Sequence, residues 1–291
     1  MLLTDVNGRL TWNLIDDVRN ALAFHFMVNA FRAGTIVAVV AAGIGWFMVL
    51  RRETFAGHTL SLVGFPGAAG AIWLGMSAVW GYFAFCVGAA LVIAAIPTQR
   101  ASGYHDESAA IGTLQAFALA CGFLFASLYG GFANGFSGLL FGSFLGVTDA
   151  QVVVLLVVGA AALLVVAAMA RPLLFASVDP DVARARGLPV RLLSVTFLVV
   201  LGVAVAEASQ ITGSLLVFAL LVAPAATAQI VTARPVLGLG VSIAVGIAIT
   251  WLGLGIAYFH PTLPIGFVIT TVAFTAYITL FLARQLVGLL R

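Results

Sequence analysis

Apolar residues run along this chain in stretches of about twenty, broken by short polar segments. A helix rises about 1.5 Å per residue, so about twenty residues cross the roughly 30 Å hydrocarbon core of a bilayer. The pattern predicts spans at roughly 27–50, 58–77, 79–97, 109–129, 151–171, 192–208, 213–231, 236–258 and 266–288, which is an all-α polytopic integral membrane protein with about nine transmembrane helices. Residues 26–291 form this membrane domain. Ahead of it, residues 1–25 read as an N-terminal amphipathic segment. Asp16, Asp17 and Arg19 lie on one side, and Trp12, Leu14, Ile15, Val18 and Leu22 are available to the other. That suits a helix lying on the membrane surface.

One polar break predicts a structure of its own. Asp179 to Arg191 reads Asp-Pro-Asp-Val-Ala-Arg-Ala-Arg-Gly-Leu-Pro-Val-Arg. Asp179 can cap a helix and Pro180 suits its first position. Asp181 then lies near the positive end of the helix dipole, and Arg184 and Arg186 near the negative end. Gly187 can take the left-handed stop, and Pro189 blocks continuation. The result is a short capped helix at a membrane surface near 179–187. It is either a solvated turn between spans or a docking helix for a soluble partner.

Composition narrows the class. Of 291 residues, 63% are hydrophobic and 8% charged, against about 25% charged in ordinary soluble domains; lipid is therefore the solvent for most of the chain. All 13 basic residues are arginine. Without lysine there is no Walker A loop and no Schiff-base chemistry. The net charge of +3 is spread along the chain, which argues against nucleic acid as a partner. Cys86 and Cys121 stand alone in apolar runs and read as small buried residues. Met1–Asp17 lacks the basic start and apolar core of a secretory signal.

Arginine also sets the expected orientation. Arg51, Arg52, Arg100, Arg171, Arg184, Arg186, Arg191, Arg234, Arg284 and Arg291 fall on one side of the nine-span layout, while Arg9, Arg19 and Arg32 fall toward the other. The positive-inside rule places the first set, the C-terminus and the 179–187 helix in the cytoplasm.

Three further features bear on transport. In Gly130–Ala150, Gly138, Gly142 and Gly146 recur every fourth residue, a spacing that allows close helix contact, and the segment reads as re-entrant or interfacial. His260–Pro264 is a short external turn. Pro66 and Pro224 lie inside spans, where each frees a backbone carbonyl. Broken helices in both halves point to a translocation path lined by Ser61, Pro66, Gln210 and Pro224; a packing kink is the other reading.

Ionisable residues at membrane depth are functional candidates. Glu207 lies between apolar stretches with Gln210 one turn on, and reads either as functional or as a wetted carboxylate near a span end. His58 opens the second span as a helix-start residue or as a metal-ligating imidazole. The i+4 position from it is Leu62, so any metal site must be assembled across helices. His105, Asp106 and Glu107 read as a helix start. His25 and His260 are single external histidines. No Ser-His-Asp order, HExxH motif or phosphate loop is present, so the chain reads as a transport subunit and not an enzyme.

Taken together, these stretches resemble the permease subunit of the metal-ion (zinc/manganese/iron) ABC transporter family, the ABC-3 type. The resemblance runs over roughly residues 26–285. It is carried by Phe26-Met-Val-Asn-Ala-Phe-Arg-Ala33, Met48-Val-Leu-Arg-Arg52, Gly57-His-Thr-Leu-Ser61 with Phe65-Pro-Gly67, Asp106-Glu-Ser-Ala-Ala-Ile-Gly112, Leu140-Phe-Gly-Ser143 and most strongly by Asp179 to Thr227. It implies a type II ABC importer fold, a second copy of the chain, and separate ABC ATPase subunits docked in the cytoplasm through Asp181, Arg184, Arg186 and Gly187. It further implies an extracytoplasmic metal-binding protein and a place in the inner (plasma) membrane. It implies no permanently bound cofactor and, as cargo, Zn2+ or another divalent metal.

The chain departs from the family where many members carry Asp at the position of His58 and His at that of Leu62. His58 with Glu207, or with the second copy's equivalent residue, is one replacement site. An imidazole-rich site favours zinc over manganese on ligand softness. The alternatives are a permease for a metal chelate of siderophore or cobalamin type, and a stand-alone secondary carrier, which would need intramembrane charge pairs.

Overall fold

The computed structural model describes residues 23–96, 104–129, 136–142, 144–260 and 262–289. The amphipathic segment expected over 1–25 lies almost wholly outside them. The described residues are all-helical: α1 His25–Leu50, α2 Thr54–Trp73, α3 Ala78–Ala95, α4 Tyr104–Tyr129, the short α5 Phe136–Phe141, α6 Asp149–Val178, α7 Pro180–Ala185, α8 Val190–Val231, α9 Pro235–Phe259 and α10 Ile265–Leu289. A single 3₁₀ turn, Phe144–Gly146, precedes α6.

Seven of these helices are long and apolar enough to cross a membrane, which falls short of the expected count of about nine. Two elements account for the difference. The first is α2, whose polar residues include His58, Thr59 and Ser61. Fourteen of its 20 residues are buried, so protein encloses it and its surface does not have to match lipid.

The second is α8, a single element of 42 residues. A straight helix of that length would run about 63 Å, twice a bilayer core. It is broken at Gly213, where φ is 75° and ψ 161°. Ser194 near its start accepts a hydrogen bond from Arg51, and Gln229 near its end donates to the Trp46 carbonyl. Both partners lie at the end of α1. A straight helix would hold Ser194 and Gln229 about 52 Å apart, so the chain doubles back at Gly213.

The reversal depends on two glycines. Gly142, which follows α5, has φ 75° like Gly213, and a Cβ on either would overlap the backbone of the other segment. Of the regularly spaced glycines, Gly142 makes this contact, whereas a Cβ on Gly138 would meet nothing within 4 Å. The expected helix-packing stripe is thus a tight turn seated on α8.

The two halves of α8 form the centre of the bundle and pack on α1, α2, α3, α6, α9 and α10. At one end of the bundle the start of α1 meets the segment before α6: Asn29 donates to the Val147 carbonyl at 3.2 Å and His25 Nε2 lies 3.1 Å from Asp149 Oδ2. The other end is rich in arginine. There Arg284 of α10 donates to the Ile230 carbonyl, and α7 packs against the end of α6 and the start of α8.

Candidate functional site

The first part of the site is a set of buried and half-buried polar groups on α2 and α8. His58 stands one turn into α2, its ring 4.6 Å from that of Phe218 in the returning half of α8. Its Nδ1 is buried without a hydrogen-bond partner. Glu207, 3% exposed, lies in the first half of α8 against Gly159 of α6. A Cβ built at Gly159 would stand 3.5 Å from Glu207 Oε2, an ordinary contact, and 2.6 Å from a Val40 methyl, so the glycine lets α6 approach α1 beside the carboxylate. Glu207 Oε1 has no hydrogen-bond partner, nor do Ser209 Oγ, Ser214 Oγ and Thr227 Oγ1 along the same hairpin. A buried unpaired polar atom costs about 1–3 kcal/mol, so this many on one element mark a place where stability is not what was optimised.

The other expected path residues are tied more firmly. Ser61 donates to the His58 carbonyl at 2.7 Å, and Gln210 to the Ala206 carbonyl at 3.3 Å. Pro66 is buried against α4, where a Cβ on Gly122 would stand 3.0 Å from it. Pro224 faces Gly246 of α9 in the same way at 3.6 Å. Both prolines therefore occupy helix contacts. Among the described residues no contact joins His58 to Glu207, and no three His, Cys, Asp or Glu residues gather into a metal-holding group. Two long-range polar contacts were not anticipated. Thr59 of α2 donates to Gln115 of α4 at 2.9 Å. Arg51, Glu53 and Ser194 form a cluster between α1, α2 and α8.

The second part is α7, at the arginine-rich end. Asp179 Oδ1 accepts from the Asp181 and Val182 amides at 3.1 and 3.0 Å, and Pro180 fills the first helical position. Arg184 donates to Asp181 at 3.3 Å. At the far end Gly187 takes φ 80°, with the Gly187 amide on the Arg184 carbonyl and the Leu188 amide on that of Ala183. The inner face is one residue deep: Ala183, fully buried, packs with Ala176 and Val190. Asp181, Val182, Arg184 and Arg186 are exposed, and Arg186 stacks over the Phe175 ring at 6.0 Å. The expected start, cap and stop of this helix are all present.

The fold and these two parts define a multi-pass, all-helical membrane protein with unsatisfied polar groups among its helices and a short capped polar helix at one end. The chain belongs to the ABC 3 transport family, whose model matches residues 23–284. Its relatives are ABC transport permeases. The manganese import system permease protein ScaB of Streptococcus gordonii is 29% identical over 90% of this chain and 93% of its own length. The manganese transport system membrane protein MntC of Halalkalibacterium halodurans is 31% identical over 73% of this chain and 72% of its own. A solved chain of PsaBC from Streptococcus pneumoniae, in complex with Fab, superposes with a TM-score of 0.79 at 29% identity, covering 92% of this chain and 95% of that one. Another ABC transporter chain in an inward-facing conformation, 18% identical with a TM-score of 0.74, shares the fold.

Proposed function

We propose that this chain is the membrane-spanning permease of an ATP-driven importer for a divalent transition-metal ion. The observation that carries it is the capped α7 helix, which presents Asp181, Arg184 and Arg186 outward beside the broken central hairpin, in a chain whose relatives are named for manganese import. ABC ATPase subunits dock on α7, an extracytoplasmic metal-binding protein delivers the ion at the opposite end, and a second copy of the chain completes the path. The arginine-rich end and the C-terminus are cytoplasmic in an inner (plasma) membrane. Counting α2 and both halves of α8 as crossings gives nine passes.

His58 and Glu207 are the ion-facing groups. Each offers a buried atom without a protein partner, and in an alternating-access cycle each needs to meet the ion only in passing. An imidazole favours zinc on softness, whereas the relatives' names favour manganese. The test is uptake of radiolabelled zinc and manganese by the complex reconstituted with its ATPase and binding protein. ATP-dependent accumulation of either ion is expected. Accumulation of neither, with ATP hydrolysis intact, rejects an ion as cargo. Charge reversal at Arg184 and Arg186 is expected to uncouple hydrolysis from uptake; normal coupling would leave α7 a mere turn.

A further inference from the structure

Between α1, α2 and α8 lies a cluster that the transport reading does not use. Arg51 closes α1, and its guanidinium donates twice to Glu53 Oε1, from Nε at 3.0 Å and from a terminal nitrogen at 2.7 Å. The same nitrogen donates to Ser194 Oγ at 2.7 Å. The guanidinium also lies over the Phe197 ring, 5.2 Å from its centre. The Arg51 side chain is 7% exposed. Glu53 is the residue before α2, and its carbonyl accepts from the Gly57 amide in the first turn.

Such a buried pair is a poor source of stability, because desolvating both charges offsets most of their attraction. The second Glu53 oxygen is buried without a partner, which adds to the cost. Burial raises the Glu53 carboxyl above its ordinary range against the opposing pull of Arg51. What the forked, planar guanidinium does supply is fixed geometry among three helices.

Ser194 and Phe197 belong to the first two turns of α8, the same turns that pack on α7. Val190 and Leu193 there close over Ala183 of α7. The start of α8 therefore touches α7 and is at the same time bonded to Arg51. We propose that the Arg51–Glu53–Ser194 clasp carries displacement of the coupling helix into α2, and so to His58. Arg51 and Ser194 are positioning residues in this scheme, which rests on the reading of α7 as the ATPase dock.

The experiment measures ions accumulated per ATP hydrolysed in the reconstituted complex. Ser194→Ala removes one hydrogen bond and leaves the ion pair in place. Its ratio is expected to fall about tenfold, the weight of one charge-assisted hydrogen bond, with ATP hydrolysis and complex yield unchanged. Ser194→Thr, which keeps the hydroxyl, restores the ratio. Arg51→Lys retains the charge beside Glu53 but loses the fork that spans to Ser194, and gives the same lowered ratio. An unchanged ratio in both Ser194→Ala and Arg51→Lys overturns the proposal, as does a fall in uptake matched by an equal fall in hydrolysis. A wild-type complex without ATP-dependent uptake overturns the importer reading as well.

Discussion

The α7 helix and the α2–α8 polar band are built in opposite ways. The bonds that start, brace and stop α7 span at most five residues: the Asp179 cap, the Asp181–Arg184 pair, the Gly187 and Leu188 amides returning to the last turn. Its polar side chains face outward and its buried face reduces to Ala183. The band is assembled from segments far apart in sequence, His58 on Phe218 and Glu207 on Gly159, and it leaves polar atoms buried and unpaired. The first is shaped locally and shows its polar groups to the outside. The second keeps polar atoms buried without a protein partner, on segments brought together only by the fold.

Three glycines sharpen the contrast. Gly213, Gly142 and Gly187 all have positive φ, yet a Cβ on Gly187 would meet nothing within 4 Å, whereas one on Gly213 would strike the Leu140 carbonyl. The largest effect expected is therefore from Gly213→Ala. It combines a backbone conformation essentially confined to glycine with an overlap against backbone, a loss of more than about 3 kcal/mol. It should show as collapsed yield or a strongly lowered melting temperature in detergent. A normally folded Gly213→Ala protein would mean that the hairpin is not held by this contact.

Next in size is His58→Ala, which acts on function and not on the fold. Uptake is expected to fall by at least the roughly hundredfold that loss of even an outer-shell metal partner can cost, while assembly with the ATPase and the melting temperature stay near wild type. Glu207→Gln should behave likewise, since the carboxylate has no protein charge to satisfy among the described residues. If either variant melts early instead, the band is a structural core and the comparison fails.

What could be read from the sequence follows the same division. The Asp179, Pro180 and Gly187 signals act over a few residues, and the helix they foretold is present. The apolar runs foretold most of the helices, because lipid imposes a length and a composition on any segment that faces it. That constraint lapses for α2, which protein encloses; the span expected at 58–77 is a helix there, but not one apolar enough by composition to count among the seven. At α8, a break between the expected spans 192–208 and 213–231 was legible, but the seat of Gly213 on Gly142 was not. The Gly138–Gly142–Gly146 spacing suggested a helical stripe, and no local rule pairs a loop glycine with one some seventy residues on. The Arg51–Glu53–Ser194 cluster was invisible for the same reason. Arg51 and Glu53 are neighbours that read as surface charge, and nothing around Ser194 marks it.

Smaller effects belong to α7. Asp179→Ala removes a side chain that accepts from two backbone amides and is expected to cost about 1 kcal/mol. Because α7 stands outside the polar band, the loss should appear in the coupling of hydrolysis to uptake before it appears in ion selectivity. A changed zinc-to-manganese preference in Asp179→Ala would show that the dock and the band are not separate parts.

The smallest effect expected is at Gly187. Its φ of 80° disfavours most side chains, but the space around it is open, so conformation alone sets the cost. Asparagine tolerates the left-handed region better than other non-glycine residues. Gly187→Asn should therefore cost only about 0.5 kcal/mol, and Gly187→Ala about 1 kcal/mol, measured as paired melting curves of the purified complex. That order isolates backbone strain as the term that ends α7. Equal losses in the two variants would mean that a partner surface fills the space beside Gly187, and the helix would then be docked more deeply than its exposed residues imply.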